Sequence, residues 1–169
     1  AGYGLLMAFR GIGALIGPFL GHRLAGPRHQ RLFDAIAIAL AVFGLSYMAL
    51  GLMPSLWLGA IAVLCAHLGG GAQWVLSTYG LQRIVPDRIR GRIFAADYAL
   101  ITLTLTGSAL VASLLADAIG PREAVAIVGG IALVWAAVWW SLTRSIGRTL
   151  DLGGPAAPEP SGPPAIAPP

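Results

Sequence analysis

Five long apolar runs, each near the length that crosses a bilayer, constrain this chain more than any other feature. They cover residues 4–21, 35–53, 56–79, 94–116 and 124–142. A helix rises about 1.5 Å per residue, so roughly 20 apolar residues span a hydrocarbon core of about 30 Å. Composition points the same way. The chain is 57% hydrophobic and only 11% charged, whereas a soluble domain carries roughly 25% charged residues to hydrate its surface. Such a chain needs lipid as its outer solvent. The expected fold is an all-α membrane protein of about five transmembrane helices.

The connections alternate in character. Residues 21–34 and 81–92 are longer and rich in arginine, while 54–55 and 117–123 are short turns punctuated by Pro and Gly. Arg23, Arg28, Arg31, Arg83, Arg88, Arg90, Arg92, Arg144 and Arg148 collect on one side. The other side has only Arg122, between Asp117 and Glu123. Positive charge stays in the cytoplasm. The reading is therefore a multi-pass protein of the bacterial plasma membrane, with its first residue outside and its C-terminus cytoplasmic. Trp57 near one face, and Trp139 and Trp140 near the other, suit interfacial aromatic belts. Residues 1–148 form the expected transmembrane region. Residues 149–169, rich in Pro, Ala and Gly, are expected to be a disordered cytoplasmic tail. The chain opens without Met, directly into an apolar stretch, which is expected of a fragment whose upstream part lies elsewhere.

Several chemistries have no support. Cys65 is the single cysteine, so neither a disulfide framework nor a multi-cysteine metal site is expected, and no cofactor is implied. The net charge of +4 does not imply nucleic acid, because the arginines cluster between apolar runs. His22 and His29 lie in an arginine-rich connection and are expected to be solvated. No phosphate loop is present, and the run GGGAQW follows no strand. An enzyme is not expected.

The polar residues inside the apolar runs are the informative ones. Arg10 is the most expensive, at roughly 3 kcal/mol or more near a bilayer centre. Helical rotation places it on the face of Gly13, Gly17 and Gly21, whose spacing lets a neighbouring backbone approach closely. Arg10 is either a structural arginine that snorkels outward or caps carbonyls of a broken helix, or the lining of a water-filled cavity where it pairs with a substrate anion or a carboxylate. The glycine face is either a tight packing seam or a sliding contact between moving helices. In the third run His67, Gly70, Gly71, Trp74 and Thr78 share a stripe, with Gln73 and Ser77 beside it. Gly69, Gly70 and Gly71 are expected to weaken this helix, and a bend at membrane depth is tolerated where it is buried or lines a cavity. The residues past it either pack or contact substrate. In the fourth run Asp97, Ile101, Thr104 and Ser108 share a face. Asp97, read as a first-turn acid, either pairs with Arg90 or Arg92 or carries a proton.

Two stretches, GYGLLMAFRGIGALIGPFLGHRL and GGGAQWVLSTYGLQRIVPDRIRGRIFAADYAL, resemble the major facilitator superfamily in its drug- and siderophore-exporter branch. The most specific part is the loop pattern Gln82, Pro86, Asp87, Arg90, Gly91, Arg92, with His22 standing where a second copy of the family's loop carries Asp. The resemblance implies helices eight to twelve of a twelve-helix fold, with the N-terminal half and seventh helix supplied elsewhere. It also implies an ion-gradient-driven exporter working by alternating access, with a small-molecule substrate and a coupling proton as partners. The substrate cavity would lie between the halves, making Arg10, His67, Gln73, Trp74 and Thr78 candidates for its wall. A membrane-embedded enzyme and a non-transporting scaffold are the alternatives.

Overall fold

The computed structural model describes residues 2–152. Among them there are five helices and no strand: α1 (Gly2–Ala25), α2 (His29–Leu52), α3 (Leu56–Ile84), α4 (Asp87–Ile119) and α5 (Pro121–Leu152). All five are long and apolar enough to cross a membrane. They alternate in direction. The starts of α1, α3 and α5 therefore share an arginine-poor end with the finishes of α2 and α4, and the other ends are arginine-rich.

The helices outrun the apolar runs. The arginine-bearing connections expected at 21–34 and 81–92 shrink to turns at 26–28 and 85–86. Arg, Leu and Gln are good helix formers, so the helices stop only where backbone chemistry requires it. Gly26 takes φ 58° to close α1, a conformation that glycine adopts without penalty. Val85, preceding a proline, is extended at φ −84°, ψ 124°, and Pro86 then leads into α4. At the arginine-poor end, the Ser55 hydroxyl accepts the Leu58 N–H at 3.4 Å to cap α3. There too Gly120, at φ 99°, turns the chain into Pro121, the first residue of α5. Helix α5 reaches Leu152, into the segment expected to be tail. The rest of that tail, 153–169, lies outside the described residues.

Packing neighbours run in the order α1, α3, α2, α5, α4, with α1 also touching α2, and α4 faces α3 across an open groove. Each tight seam is built on small residues, because lipid offers no hydrophobic drive between helices and close backbone packing must supply it. Gly13, Gly17 and Gly21 are buried against α3, where they meet Leu64, Leu68 and Ala72. Gly44 of α2 and Gly129 of α5 face one another, and Gly51 lies on the Arg122 carbonyl. Leu32, Phe33, Ile36 and Leu76 form the buried centre between α2 and α3.

The glycine triplet in α3 behaves differently from expectation. The helix runs unbroken through Gly69, Gly70 and Gly71, and each glycine receives a neighbour. A Cβ on Gly69 would lie 2.8 Å from the Phe43 N–H nitrogen of α2, and one on Gly71 would lie 2.7 Å from the Ala14 carbonyl of α1. Gly70 faces the Phe43 ring. What reads as a weak point is the notch that lets α3 pack between two helices. At the far edge, α4 has no buried residue, and its Leu100, Leu103 and Leu110 are more than 60% exposed. This is surface for lipid or for another helix.

Candidate functional site

The intramembrane polar residues fall into two clusters at different depths. The first lies toward the arginine-poor end. Arg10, Tyr47 and His67 sit between about 8 and 17 Å along their helices from that end, at about 1.5 Å per residue. Gly13, one turn after Arg10, lies against His67, with a Cβ there only 3.0 Å from the histidine's own. Arg10 itself is exposed, one turn before this contact. The charge of Arg10 also acts on the Tyr47 hydroxyl across the gap to α2. The Tyr47 and His67 ring centroids are 6.1 Å apart, and Phe43 lies edge-on to both, at 4.7 Å from Tyr47 and 6.4 Å from His67. The His67 Nδ1–H donates to the Val63 carbonyl at 2.9 Å. A carbonyl can only accept, so this bond assigns the proton to Nδ1 and holds the ring in place.

The second cluster lines a groove of about 680 Å³ bounded by α2, α3, α4 and α5. Gln73, Trp74 and Thr78 face it from α3, Asp97 and Thr104 from α4, and Trp135 from α5. Trp74 and Asp97 both lie about 15 Å along their helices from the arginine-rich end. Most hydroxyls here are already satisfied within their helix. Gln73 Nε2 donates to Ser77 Oγ at 3.1 Å, and Ser77 Oγ donates to the Gln73 carbonyl at 2.5 Å. Thr78 donates to the Trp74 carbonyl at 3.0 Å. In α4, Ser108 likewise donates to Leu105. This is the common fate of Ser and Thr in membrane helices. The Trp74 face is 49% exposed, and the Asp97 carboxylate has no hydrogen-bond or ion-pair partner among the described residues.

The arginine-rich connections differ from the sequence reading. Helix α4 begins at Asp87, so Asp87 is its first-turn acid and Asp97 lies nearly three turns deeper. Arg90 pairs with Asp87 at 2.5 Å and donates to the Val85 carbonyl at 3.3 Å. It does not pair with Asp97, and Gln82, Gly91 and Arg92 are exposed. The link between helix ends is made by Arg83, which donates to the Pro27 carbonyl at 3.0 Å and lies over the Tyr79 ring. His29 is half-buried and partnered, whereas His22 is exposed.

Of the aromatic belt, Trp57 and Trp140 are exposed as expected, and Arg144 lies 4.3 Å from the Trp140 ring centroid. Trp139 instead packs inward. Its ring meets Phe33 edge-on at 6.1 Å, and its Nε1–H donates to the Phe33 carbonyl at 3.3 Å.

Arg10 and His67 therefore do not share a site with Gln73, Trp74 and Thr78. Tyr47 and Phe43, which complete the first cluster, sit inside an apolar run. Their spacing of four, which places two side chains on one helix face, was the available signal. No metal-holding group of His, Cys, Asp and Glu occurs among the described residues. No protein-family model, curated protein or solved structure matches the chain.

Proposed function

We propose that these five helices are the C-terminal part of a secondary active transporter of the major facilitator type, an ion-gradient-driven exporter of drugs, siderophores or small metabolites. The observation that carries this reading is the groove of about 680 Å³ at membrane depth, with Gln73, Trp74, Asp97 and Thr104 on its walls. Polar groups in hydrocarbon need partners or water, and an open groove between helices supplies the latter. The groove has one movable wall. Helix α4 buries no residue and packs substantially only on α5, so it can rock without breaking a glycine seam. The Arg83 link to Pro27 ties α3 to the α1–α2 turn at the arginine-rich end, where an alternating-access protein closes. In this reading the arginine-rich end is cytoplasmic. An enzyme would need a paired acid and base, and His67 and Asp97 lie in separate clusters.

The test is gradient-driven flux in proteoliposomes containing the permease that carries these helices. Under an imposed pH gradient, labelled organic cations, neutral solutes and carboxylates are offered in turn, with protein-free vesicles as the reference. Accumulation of at least one solute is expected, together with a fall of about tenfold or more in Trp74→Ala, the size of one lost stacking partner. Flux indifferent to the gradient, or unchanged in Trp74→Ala and Asp97→Asn, contradicts the reading.

A further inference from the structure

We propose that Arg10, Tyr47 and His67 form a binding site for a monocarboxylate with an apolar body. The inference rests on the transporter reading and names a substrate class for it.

The first support is an uncompensated charge. Arg10 makes no ion pair or hydrogen bond with any described residue, yet it lies about 12 Å along α1 from the helix start. The acids at the arginine-poor end, Asp117 and Glu123, belong to the α4–α5 hairpin. The start of α5 lines a pocket with Leu6 of α1, yet neither acid forms an ion pair with Arg10. Asp34, Asp87 and Asp97 lie toward the other end. A cation at this depth needs an anion, and the described residues supply none.

The second support is the chemistry around the charge. The Tyr47 hydroxyl has no hydrogen-bond partner among the described residues and sits within the electrostatic reach of Arg10. The guanidinium fork matches a carboxylate with two parallel hydrogen bonds, and a phenol adds a third donor. One fixed positive charge balances one negative charge. A phosphate dianion would carry excess charge into the membrane. The Phe43, Tyr47 and His67 rings, with centroids 4.7 to 6.4 Å apart, offer an aromatic wall to the rest of the ligand. The Val63 bond keeps the His67 ring from turning away.

Benzoate is the probe. The protein in phosphatidylcholine nanodiscs is titrated calorimetrically with benzoate and with benzamide, its neutral isostere, and the heat of empty nanodiscs is subtracted. Saturable benzoate binding is expected, at least tenfold tighter than benzamide. Arg10→Lys, which keeps the charge and loses the fork, should weaken benzoate by about tenfold. Arg10→Gln should abolish binding, and Tyr47→Phe should weaken it by about threefold, the size of one hydrogen bond. The unfolding midpoint of Arg10→Lys should match the wild type, which separates binding from folding. Equal binding of benzoate and benzamide, or no saturable benzoate binding by the folded protein, overturns the site. So does wild-type affinity in both Arg10 variants. Loss of folding or assembly in both variants without any benzoate binding by the wild type would assign Arg10 to a carboxylate on another helix, which also overturns it. Benzoate binding without gradient-driven flux would retire the transporter and keep the site. Flux of other solutes by a protein indifferent to benzoate would do the reverse.

Discussion

Gly17→Ala should loosen the α1–α3 seam, and the size of the effect follows from the geometry. A methyl at Gly17 would press onto the Leu68 carbonyl oxygen and lie 3.0 Å from the Ala72 nitrogen, where ordinary contact begins near 3.4 Å. Both neighbours are backbone atoms of an unbroken helix and cannot rotate aside. Helix α1 must move away by roughly 1 Å, opening the contacts at Gly13 and Gly21 as well. Overpacking of this kind costs about 1–3 kcal/mol. The substitution also gains helix propensity, up to about 1 kcal/mol for Gly to Ala, so a raw stability would understate the clash. Gly11→Ala supplies the correction, since Gly11 lies on the same helix and a methyl there meets nothing within 4 Å. Reversible unfolding in mixed detergent micelles should place Gly17→Ala below Gly11→Ala by about 1–3 kcal/mol. Equal stability of the two variants would falsify the close α1–α3 seam.

Other outcomes follow from single contacts. Trp139→Phe keeps the ring contact with Phe33 but removes the Nε1–H bond to its carbonyl, and should cost about 1 kcal/mol in the same unfolding assay. Gly120→Ala forces an L side chain to φ 99° and onto the Glu123 carboxylate, and should cost about 1–3 kcal/mol. Asp87→Asn should change stability by less than about 1 kcal/mol, because the pair with Arg90 is solvent-exposed, and its small effect should fade in high salt. Cysteines placed at Ser55 and Ser145 should label from outside and inside respectively, as the arginine asymmetry predicts. Labelling of position 145 alone from outside would reverse the orientation.

The spans were legible because lipid turns apolar length into a direct signal: four of the five runs lie within observed helices, and the second overruns α2 only by Met53. The helix ends were not. Apolar content stops at residue 94 in the fourth run, but Pro86 sets the start of α4, which moved Asp97 from the first turn into the groove and gave Arg90 a nearer acid. The glycine face of α1 was legible as a seam, since spacing defines a face. Its partner was not, because a seam is a property of two helices. The same limit applies to the candidate residues. His67 and Trp74 share a stripe on α3, yet seven residues separate them by about 10 Å along the axis, enough to place them in different clusters. Rotation is periodic and readable from one helix, whereas depth acquires meaning only when neighbours such as Tyr47 and Asp97 stand at the same level. Trp139 shows the reverse error. A tryptophan near the end of an apolar run reads as an interfacial anchor, and only the position of Phe33 draws it into the core.

Water in the groove between α3 and α4 is what transport requires, and thiol labelling tests it most directly. With Cys65 replaced by serine, single cysteines are placed at Trp74 and Thr104, which line the groove, and at Leu103, which is 71% exposed on the neighbouring face of α4. A charged, membrane-impermeant methanethiosulfonate should modify positions 74 and 104 in the folded protein and leave 103 unmodified, because thiolates form in water and not in lipid. Protection of 74 and 104 to the same degree as 103 would mean that the groove holds lipid or another helix, and would contradict a translocation path along this wall.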